Sequence, residues 1–194
     1  MRKRWLFIFL IFILFAILTG GILAQGKRVL MVIAHNGFRD EELARPKALL
    51  EEAGYQVTIA SSSLGEAKGM LGARAKPQIL FKDVKVSDYE AVIFVGGIGA
   101  QEYWHDAAAH HLAQEAISQG KVLGAICIAP VILANAGVLQ GKRATVWASE
   151  EGRLRKKGAK YTGKMVEVNG LIVTANGPKA AEAFGKEILR LMRR

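Results

Sequence analysis

Lys121-Val-Leu-Gly-Ala-Ile-Cys127-Ile-Ala-Pro130 is the stretch that decides the fold, because an apolar run leads into the only cysteine of the chain and a helical pattern follows at once. A buried parallel strand that passes directly into a helix strains the backbone at the turn and needs small residues nearby. Ala125 and Ala129 meet that need, and the fixed φ of Pro130 suits the first helical position. The sequence therefore predicts a strand, a tight turn carrying the thiol, and a helix.

The Cys127 thiol admits two interpretations. In the first, it faces the free N–H groups and the positive dipole end of the following helix, which would stabilise a thiolate and lower the pKa of the thiol. In the second, it is a small buried hydrophobe with no chemical role. The residues of this stretch leave both interpretations open.

Composition indicates one folded domain. The chain has 194 residues, of which 51% are hydrophobic, and its formal net charge is +10. Much of the positive charge lies in one basic stretch between residues 153 and 164. Such a stretch can bind phosphates or anionic lipid, but no interleaved aromatic residues and no nucleic-acid motif accompany it. We therefore interpret it as a solvated helix face and expect no nucleic-acid partner. Its members are Arg153, Arg155, Lys156, Lys157, Lys160 and Lys164.

Residues 1–26 form a distinct N-terminal segment: a basic start, an uncharged apolar run and small residues around Ala24. This order is typical of a secretory signal peptide, with Ala24 before the cut. The alternative is an uncleaved membrane anchor, because residues 5–24 carry no charge and about 20 apolar residues can span a bilayer. Both interpretations export the domain at 27–194 to the periplasmic or extracellular side. A single cysteine there can form no internal disulfide.

Residues 27–194 alternate strand and helix patterns, which predicts a mostly parallel sheet covered by helices on both faces. The pattern predicts a loop over 61–72 and a hairpin around Asn169-Gly170. Predicted strands cover 27–34, 55–60, 91–95, the Val122 run and 144–148, with short pieces over 79–86. Predicted helices cover 40–53, 106–119, the stretch after Cys127 to about 137, and 178–192.

Three loops should meet at the carboxyl edge of this sheet, where α/β proteins bind their ligands. They are 35–42, 96–100 and the turn at Cys127. The glycines at 96, 97 and 99 do not form a dinucleotide fingerprint, since Glu102 stands where a third spaced glycine is due. The loop is either a tight turn or a close backbone approach with a free N–H that could hold an oxyanion.

The combined motifs resemble the ThiJ/PfpI superfamily over 27–194. They are Glu42 four residues before Pro46, the Gly96-Gly97 loop, Ala-Ile-Cys-Ile-Ala-Pro at 125–130, and the run from Gly170 to Pro178. The resemblance implies a flavodoxin-like three-layer α/β sandwich with a small β-hairpin, and usually a homodimer. It also implies Cys127 as nucleophile, Glu42 as its acid partner, and backbone N–H groups of Gly97 and Ile128 as oxyanion donors.

Physical chemistry supports the pairing of Glu42 with Cys127. A carboxyl beside a thiolate does not readily ionise as well, so the pair should hold one proton between them. A protonated Glu42 can donate a hydrogen bond to sulfur and then act as acid or base. The alternative is that Glu42 only stabilises the dipole of a helix in its first turn.

The chain departs from the family in its histidines. The protease-like branch has histidine directly after the cysteine, where this chain has Ile128, and the deglycase branch has one near Trp147. All four histidines of this chain precede Cys127, which excludes a glutaminase-type triad. His35 ends the first predicted strand, so we name His35 and Trp147 as possible site-lining residues, with a solvent-facing loop as the alternative for His35.

The sequence thus predicts an exported enzyme of glyoxalase, deglycase or hydrolase type that uses Cys127 on reactive carbonyls or acyl groups, with a small-molecule or protein-bound carbonyl compound as substrate. An alternative is an oxidative-stress sensor or protective chaperone without turnover. A cysteine peptidase is the weaker alternative, because no histidine adjoins Cys127. No cofactor is expected, and no metal site either, because the histidines lack ligand-like neighbours.

Overall fold

A computed structural model describes residues 27–194; the predicted signal or anchor at 1–26 lies outside the described residues. The strands are β1 (Arg28–Val32), β2 (Asn36–Phe38), β3 (Gln56–Ser61), β4 (Ala67–Gly69), β5 (Arg74–Ala75), β6 (Ile79–Leu80), β7 (Ala91–Phe94), β8 (Val122–Ile126), β9 (Arg143–Ala144), β10 (Lys160–Tyr161), β11 (Val166–Asn169) and β12 (Ile172–Ala175). The α-helices are α1 (Asp40–Glu52), α2 (Ala107–Ser118), α3 (Pro130–Asn135), α4 (Glu151–Lys156) and α5 (Ala181–Met192).

A seven-stranded sheet in the order β11-β12-β8-β7-β1-β3-β6 forms the centre of the protein. All neighbours in it are parallel except β11 and β12, which form the predicted antiparallel hairpin. The side chains of β1 alternate between two hydrophobic cores: Leu30 and Val32 face one, Val29 and Met31 the other. The first core includes buried residues of α2, α3 and α4, and the second those of α1 and α5. The predicted flavodoxin-like three-layer sandwich is confirmed.

The main helices and strands also lie where the sequence places them. Helix α2 begins after Asp106, whose carboxylate accepts a hydrogen bond from the N–H of Ala109 at 2.9 Å and caps the helix. Its end lies just before Gly120, whose φ of +67° is the left-handed conformation that glycine adopts without strain. No helix within residues 27–194 is both long and apolar enough to cross a membrane.

Two local predictions are wrong. Residues 61–72 are not only a loop, because they contain β4, which pairs in parallel with β2 and antiparallel with β5. The strand expected over 144–148 shortens to β9, which pairs with β10, and a 3₁₀ turn at Ala148–Glu150 follows. Strand β4 pairs with β2 through Lys68 and Asn36, and β9 pairs with β10 through Arg143 and Lys160, so each has a partner beyond its local sequence that local composition does not reveal.

Helix α5 packs closely on the sheet at Gly124 in β8. A Cβ atom there would lie 2.9 Å from Phe184 Cζ and 3.0 Å from Ile188 Cδ1. We expect Gly124→Ala to lower the free energy of unfolding by about 1–3 kcal/mol, because it overpacks this contact. Gly152→Ala is the control, since a Cβ on this exposed residue of α4 meets nothing within 4 Å. Urea denaturation measures both, and equal effects would contradict the close packing.

Candidate active site

The Cys127 turn joins β8 to α3 in a strained backbone conformation. Cys127 has a φ of +62° and is the only residue other than glycine with positive φ within residues 27–194. Such a conformation costs about 1–3 kcal/mol and persists only where neighbours hold it. Here the N–H of Cys127 donates to the carbonyl of Ala175 at 2.9 Å, and its own carbonyl accepts from the N–H of Trp147 at 2.8 Å.

Gly96 brings Glu42 and Cys127 together. A Cβ at position 96 would lie 2.5 Å from both Cys127 Cβ and Glu42 Oε2, so only glycine allows this approach. The carbonyl of Gly96 also accepts a hydrogen bond from the N–H of Arg39 at 2.9 Å, just before α1 begins. The structure thus places the thiol and the carboxyl side by side, as the sequence predicts.

Glu42 is fully buried in the first turn of α1. Burial raises its pKa from 4.5 to about 8, and the opposing influences of the Cys127 side chain, the nearby Arg39 and the Gly96 N–H are smaller. The carboxyl therefore keeps its proton at neutral pH. A protonated carboxyl beside sulfur is a hydrogen-bond donor that can later release its proton.

The pKa of Cys127 is raised, not lowered as the helix-dipole argument predicted. Burial is the main cause and repulsion by the Glu42 carboxylate the second, while the backbone N–H groups of Gly97 and Ile128 lower the pKa. The repulsion acts only when Glu42 is ionised. Below about pH 8 that carboxyl is protonated, so the repulsion is removed and burial is opposed by the two N–H groups. Thiolate formation thus depends on where the Glu42 proton resides.

Gly97 points its N–H toward the sulfur of Cys127 and does so in a left-handed backbone conformation that favours glycine. Its φ is +98°, and a Cβ there would lie 2.4 Å from the backbone nitrogen of Arg39 and the carbonyl oxygen of Gly37. Ile128 supplies the second N–H, at the start of the turn into α3. Two convergent N–H donors beside a nucleophile are the arrangement that stabilises an oxyanion.

The thiol opens into a cavity of about 270 Å³. Trp147 lines it, as the sequence suggested, and Glu42 lies behind Cys127 rather than in the cavity wall. Several wall residues were not anticipated, since they carry no motif and come from separate segments. The lining comprises Arg39, Met70, Gly97, Ile98, Gln101, Cys127, Ile128, Trp147, Ser149, Glu150 and Pro178.

No histidine lines this cavity. His35 is part of the turn between β1 and β2, where its N–H lies 3.4 Å from Glu102 Oε1 and its ring packs near Gly65. The ring of His110 lies 2.8 Å from the carbonyl oxygen of Trp104, and His111 lies 3.9 Å from Glu115. His35 is therefore not brought to the thiol. Within residues 27–194, no cluster of three or more potential ligands could hold a metal ion.

The sequence of this chain also matches a known protein family. Residues 27–191 match the family model of the DJ-1/PfpI family. The chain belongs to the DJ-1/PfpI family.

Individual relatives match this chain over most of their own length. An uncharacterized protein of Methanocaldococcus jannaschii is 43% identical, covering 86% of this chain and 82% of its own. A deglycase of Pyrococcus horikoshii is 30% identical, covering 86% and 99%. A putative cysteine protease of Bacillus subtilis is 32% identical, covering 84% and 96%. A glutathione-independent glyoxalase of Caenorhabditis elegans is 26% identical, covering 88% and 91%.

Among solved structures, a ThiJ/PfpI domain protein of Brachyspira murdochii superposes with a TM-score of 0.84 at 33% identity. The match covers 86% of this chain and 96% of that one. The relatives thus include named enzymes of more than one activity on one fold, and the residues around Cys127 must identify the chemistry.

The buried Glu42 should make stability depend on pH. Below pH 4.5 its carboxyl is protonated in both the folded and the unfolded state, so it adds no pH dependence to stability there. Between pH 4.5 and about 8 only the unfolded state ionises, so stability falls as pH rises. We expect Glu42→Gln to reduce this loss between about pH 4 and pH 9 by up to about 5 kcal/mol.

Urea denaturation across that pH range measures this effect. Glu52→Gln, which changes an exposed carboxyl at the end of the same helix, is the matched control and should keep the wild-type pH dependence. The same slope in wild type and Glu42→Gln would show that Glu42 ionises normally in the folded protein.

Proposed function

We propose that this DJ-1/PfpI protein is a cysteine-dependent enzyme that acts on reactive carbonyl compounds, in the manner of a glyoxalase or deglycase. The observation that carries the proposal is the arrangement around Cys127: a strained turn, two backbone N–H donors and a buried, protonated carboxyl beside one cavity. The relatives named deglycase and glyoxalase support the same chemistry.

The first step is addition of the Cys127 sulfur to an aldehyde carbon. The S–C bond forms, the carbonyl π bond breaks, and the negative charge moves to oxygen. The N–H groups of Gly97 and Ile128 are placed to stabilise that charge, and protonation of the oxygen completes a hemithioacetal. The cavity of about 270 Å³ suits a compound of a few carbon atoms.

Glu42 would move the protons. In a 2-oxoaldehyde adduct, removal of the proton from the carbon bonded to sulfur and its return to the neighbouring carbon converts the adduct to a thioester. Water then releases a 2-hydroxy acid and the thiol, so the overall change is addition of one water. A carboxyl with a pKa of about 8 can both accept and donate protons near neutral pH.

Peptide hydrolysis is less well supported by this geometry. An amine leaving group needs a general acid close to its nitrogen, and cysteine peptidases use histidine for this task. Ile128 follows the cysteine directly, and none of the residues lining the cavity is a histidine. Conversion of a 2-oxoaldehyde to a 2-hydroxy acid releases no amine and needs no such group.

Location and assembly belong to the same proposal. The apolar segment at 5–24 favours export, either by a cleaved signal or as a membrane anchor. DJ-1/PfpI family members are commonly dimers, and we propose a homodimer here. An exported enzyme would encounter carbonyl compounds outside the cytoplasm.

Turnover of methylglyoxal tests the reaction. Wild type should form lactate, and Cys127→Ser should fall to the rate of buffer alone, because a serine hydroxyl is a far weaker acid and nucleophile than a thiol. His35→Ala is the control and should stay within about twofold of wild type, because His35 does not line the cavity. Enzymatic lactate formation is the measurement, and equal rates in wild type and Cys127→Ser would overturn the proposal.

A redox sensor is the second candidate, because the thiol is only partly buried and the two N–H donors would also hold the oxygens of a sulfinate. Mild peroxide should then add two oxygens to wild type, faster than to free cysteine, and none to Cys127→Ser at this position. Intact and peptide mass spectrometry measures the addition. Oxidation no faster than that of free cysteine would exclude a sensor role.

A further inference from the structure

A second cavity adjoins the one that contains the Cys127 thiol. Its volume is about 380 Å³, and it shares Trp147 and Pro178 with the first cavity. Its wall consists of Val146, Trp147, Ala148, Tyr161, Gly163, Asn176, Gly177, Pro178 and Lys179. Neither the family match nor the reaction at Cys127 assigns a role to this space.

Trp147 forms the boundary between the two cavities. Its backbone N–H is tied to the Cys127 carbonyl, while its side chain packs on Gly177, where a Cβ would lie 2.8 Å from the ring atoms Cε3 and Cζ3. Even so, Trp147 is 47% exposed. A fixed, half-exposed indole between two cavities offers an apolar surface to a ligand that extends from one cavity into the other.

Charge distinguishes the second cavity from the first. The first has two charged wall residues, and both are paired: Arg39 with Glu41 at 2.7 Å and Glu150 with Arg153 at 2.7 Å. The wall of the second cavity contains no acidic residue, and Lys179 takes part in none of the ion pairs among residues 27–194. Lys179 is thus the one wall charge of either cavity without an ion-pair partner in the described chain.

Neutral hydrogen-bonding groups accompany this cation. Asn176 brings an amide and Tyr161 a hydroxyl to the same wall, and both side chains are partly buried. An ammonium, an amide and a phenol together are donors suited to a carboxylate. The arrangement therefore has a reacting end at Cys127, an apolar partition at Trp147, and an anion-accepting end at Lys179.

We propose that the cavity beside Lys179 is a subsite for a carboxylate carried by the substrate, so that the preferred substrates are carbonyl compounds with a carboxylate at the end remote from the reacting carbonyl. This inference rests on the proposed function for the identity of the reacting group. The subsite itself is a matter of binding, and it can be tested without turnover.

Two alkylating reagents that differ only in the carboxylate provide the test: N-phenyl-iodoacetamide and N-(4-carboxyphenyl)-iodoacetamide. Each labels Cys127 by displacement of iodide, and mass spectrometry gives the rate constants, normalised to those of glutathione. In wild type we expect the carboxylated reagent to react about three- to tenfold faster than the neutral one, the advantage of one partly exposed charge pair. About 0.5 M salt should reduce this preference.

The matched variants are Lys179→Met and Lys160→Met, which remove the same charge. Lys160 is exposed on β10 beside Tyr161 but does not line the cavity. Lys179→Met should abolish the preference for the carboxylated reagent and leave the neutral rate within about twofold, whereas Lys160→Met should retain the preference. Trp147→Leu should slow both aromatic reagents but not iodoacetamide.

The outcomes separate the subsite from the proposed function. Equal normalised rates for the two reagents in wild type, equal effects of the two lysine variants, or no labelling by either reagent at pH 9 would each overturn the subsite. A preference that depends on Lys179 in a protein that does not turn over methylglyoxal would keep the subsite and overturn the enzyme. Turnover of methylglyoxal without a preference for the carboxylated reagent would keep the enzyme and overturn the subsite.

Discussion

The close passage of Gly96 against Cys127 and Glu42 is the constraint on which the site depends. Strands β7 and β8 are parallel neighbours with Phe94 opposite Ala125, so the segments that follow them leave the sheet side by side. The N–H of Arg39 then ties the start of α1 to the Gly96 carbonyl. Any side chain at position 96 would occupy the space of the thiol and the carboxyl, 2.5 Å away. Three separate segments can meet there only because one of them has no side chain.

Burying Glu42 and Cys127 side by side makes it costly to ionise them, which lowers stability but suits proton transfer. Burial favours the neutral form of both the Glu42 carboxyl and the Cys127 thiol, and the Glu42 carboxylate in addition disfavours a charge on the sulfur. The N–H groups of Gly97 and Ile128 offset part of this cost for sulfur alone. A proton on Glu42 therefore makes a thiolate on Cys127 easier to form. Burial therefore keeps the carboxyl neutral in the resting state, directly beside the sulfur that would react.

Much of the fold could be predicted because its signals are local. The continuous apolar runs of β1, β7 and β8, the cap at Asp106 and the turn at Gly170 each depend on residues a few positions apart. The small sheet of β2, β4 and β5 was missed, because its short polar strands gain their pairing from segments about thirty residues away in sequence. Sequence also could not show the surroundings of His35. This residue follows β1 at the carboxyl edge of the sheet, as expected, but its ring packs near Gly65 and not in the cavity at Cys127.

Sequence was sufficient for the turn at Cys127, the glycines beside it and the acidic partner, since sterics at adjacent residues and a family pattern specify them. Tertiary structure alone decided the direction of the thiol pKa and the walls of the two cavities. The helix dipole, which would lower the pKa of the thiol, arises from residues close in sequence. The burial that raises this pKa comes from both hydrophobic cores. The contact of Trp147 with Gly177 likewise joins positions thirty residues apart. Desolvation and cavity shape are sums over every atom packed nearby, and those atoms become neighbours only when the chain is folded.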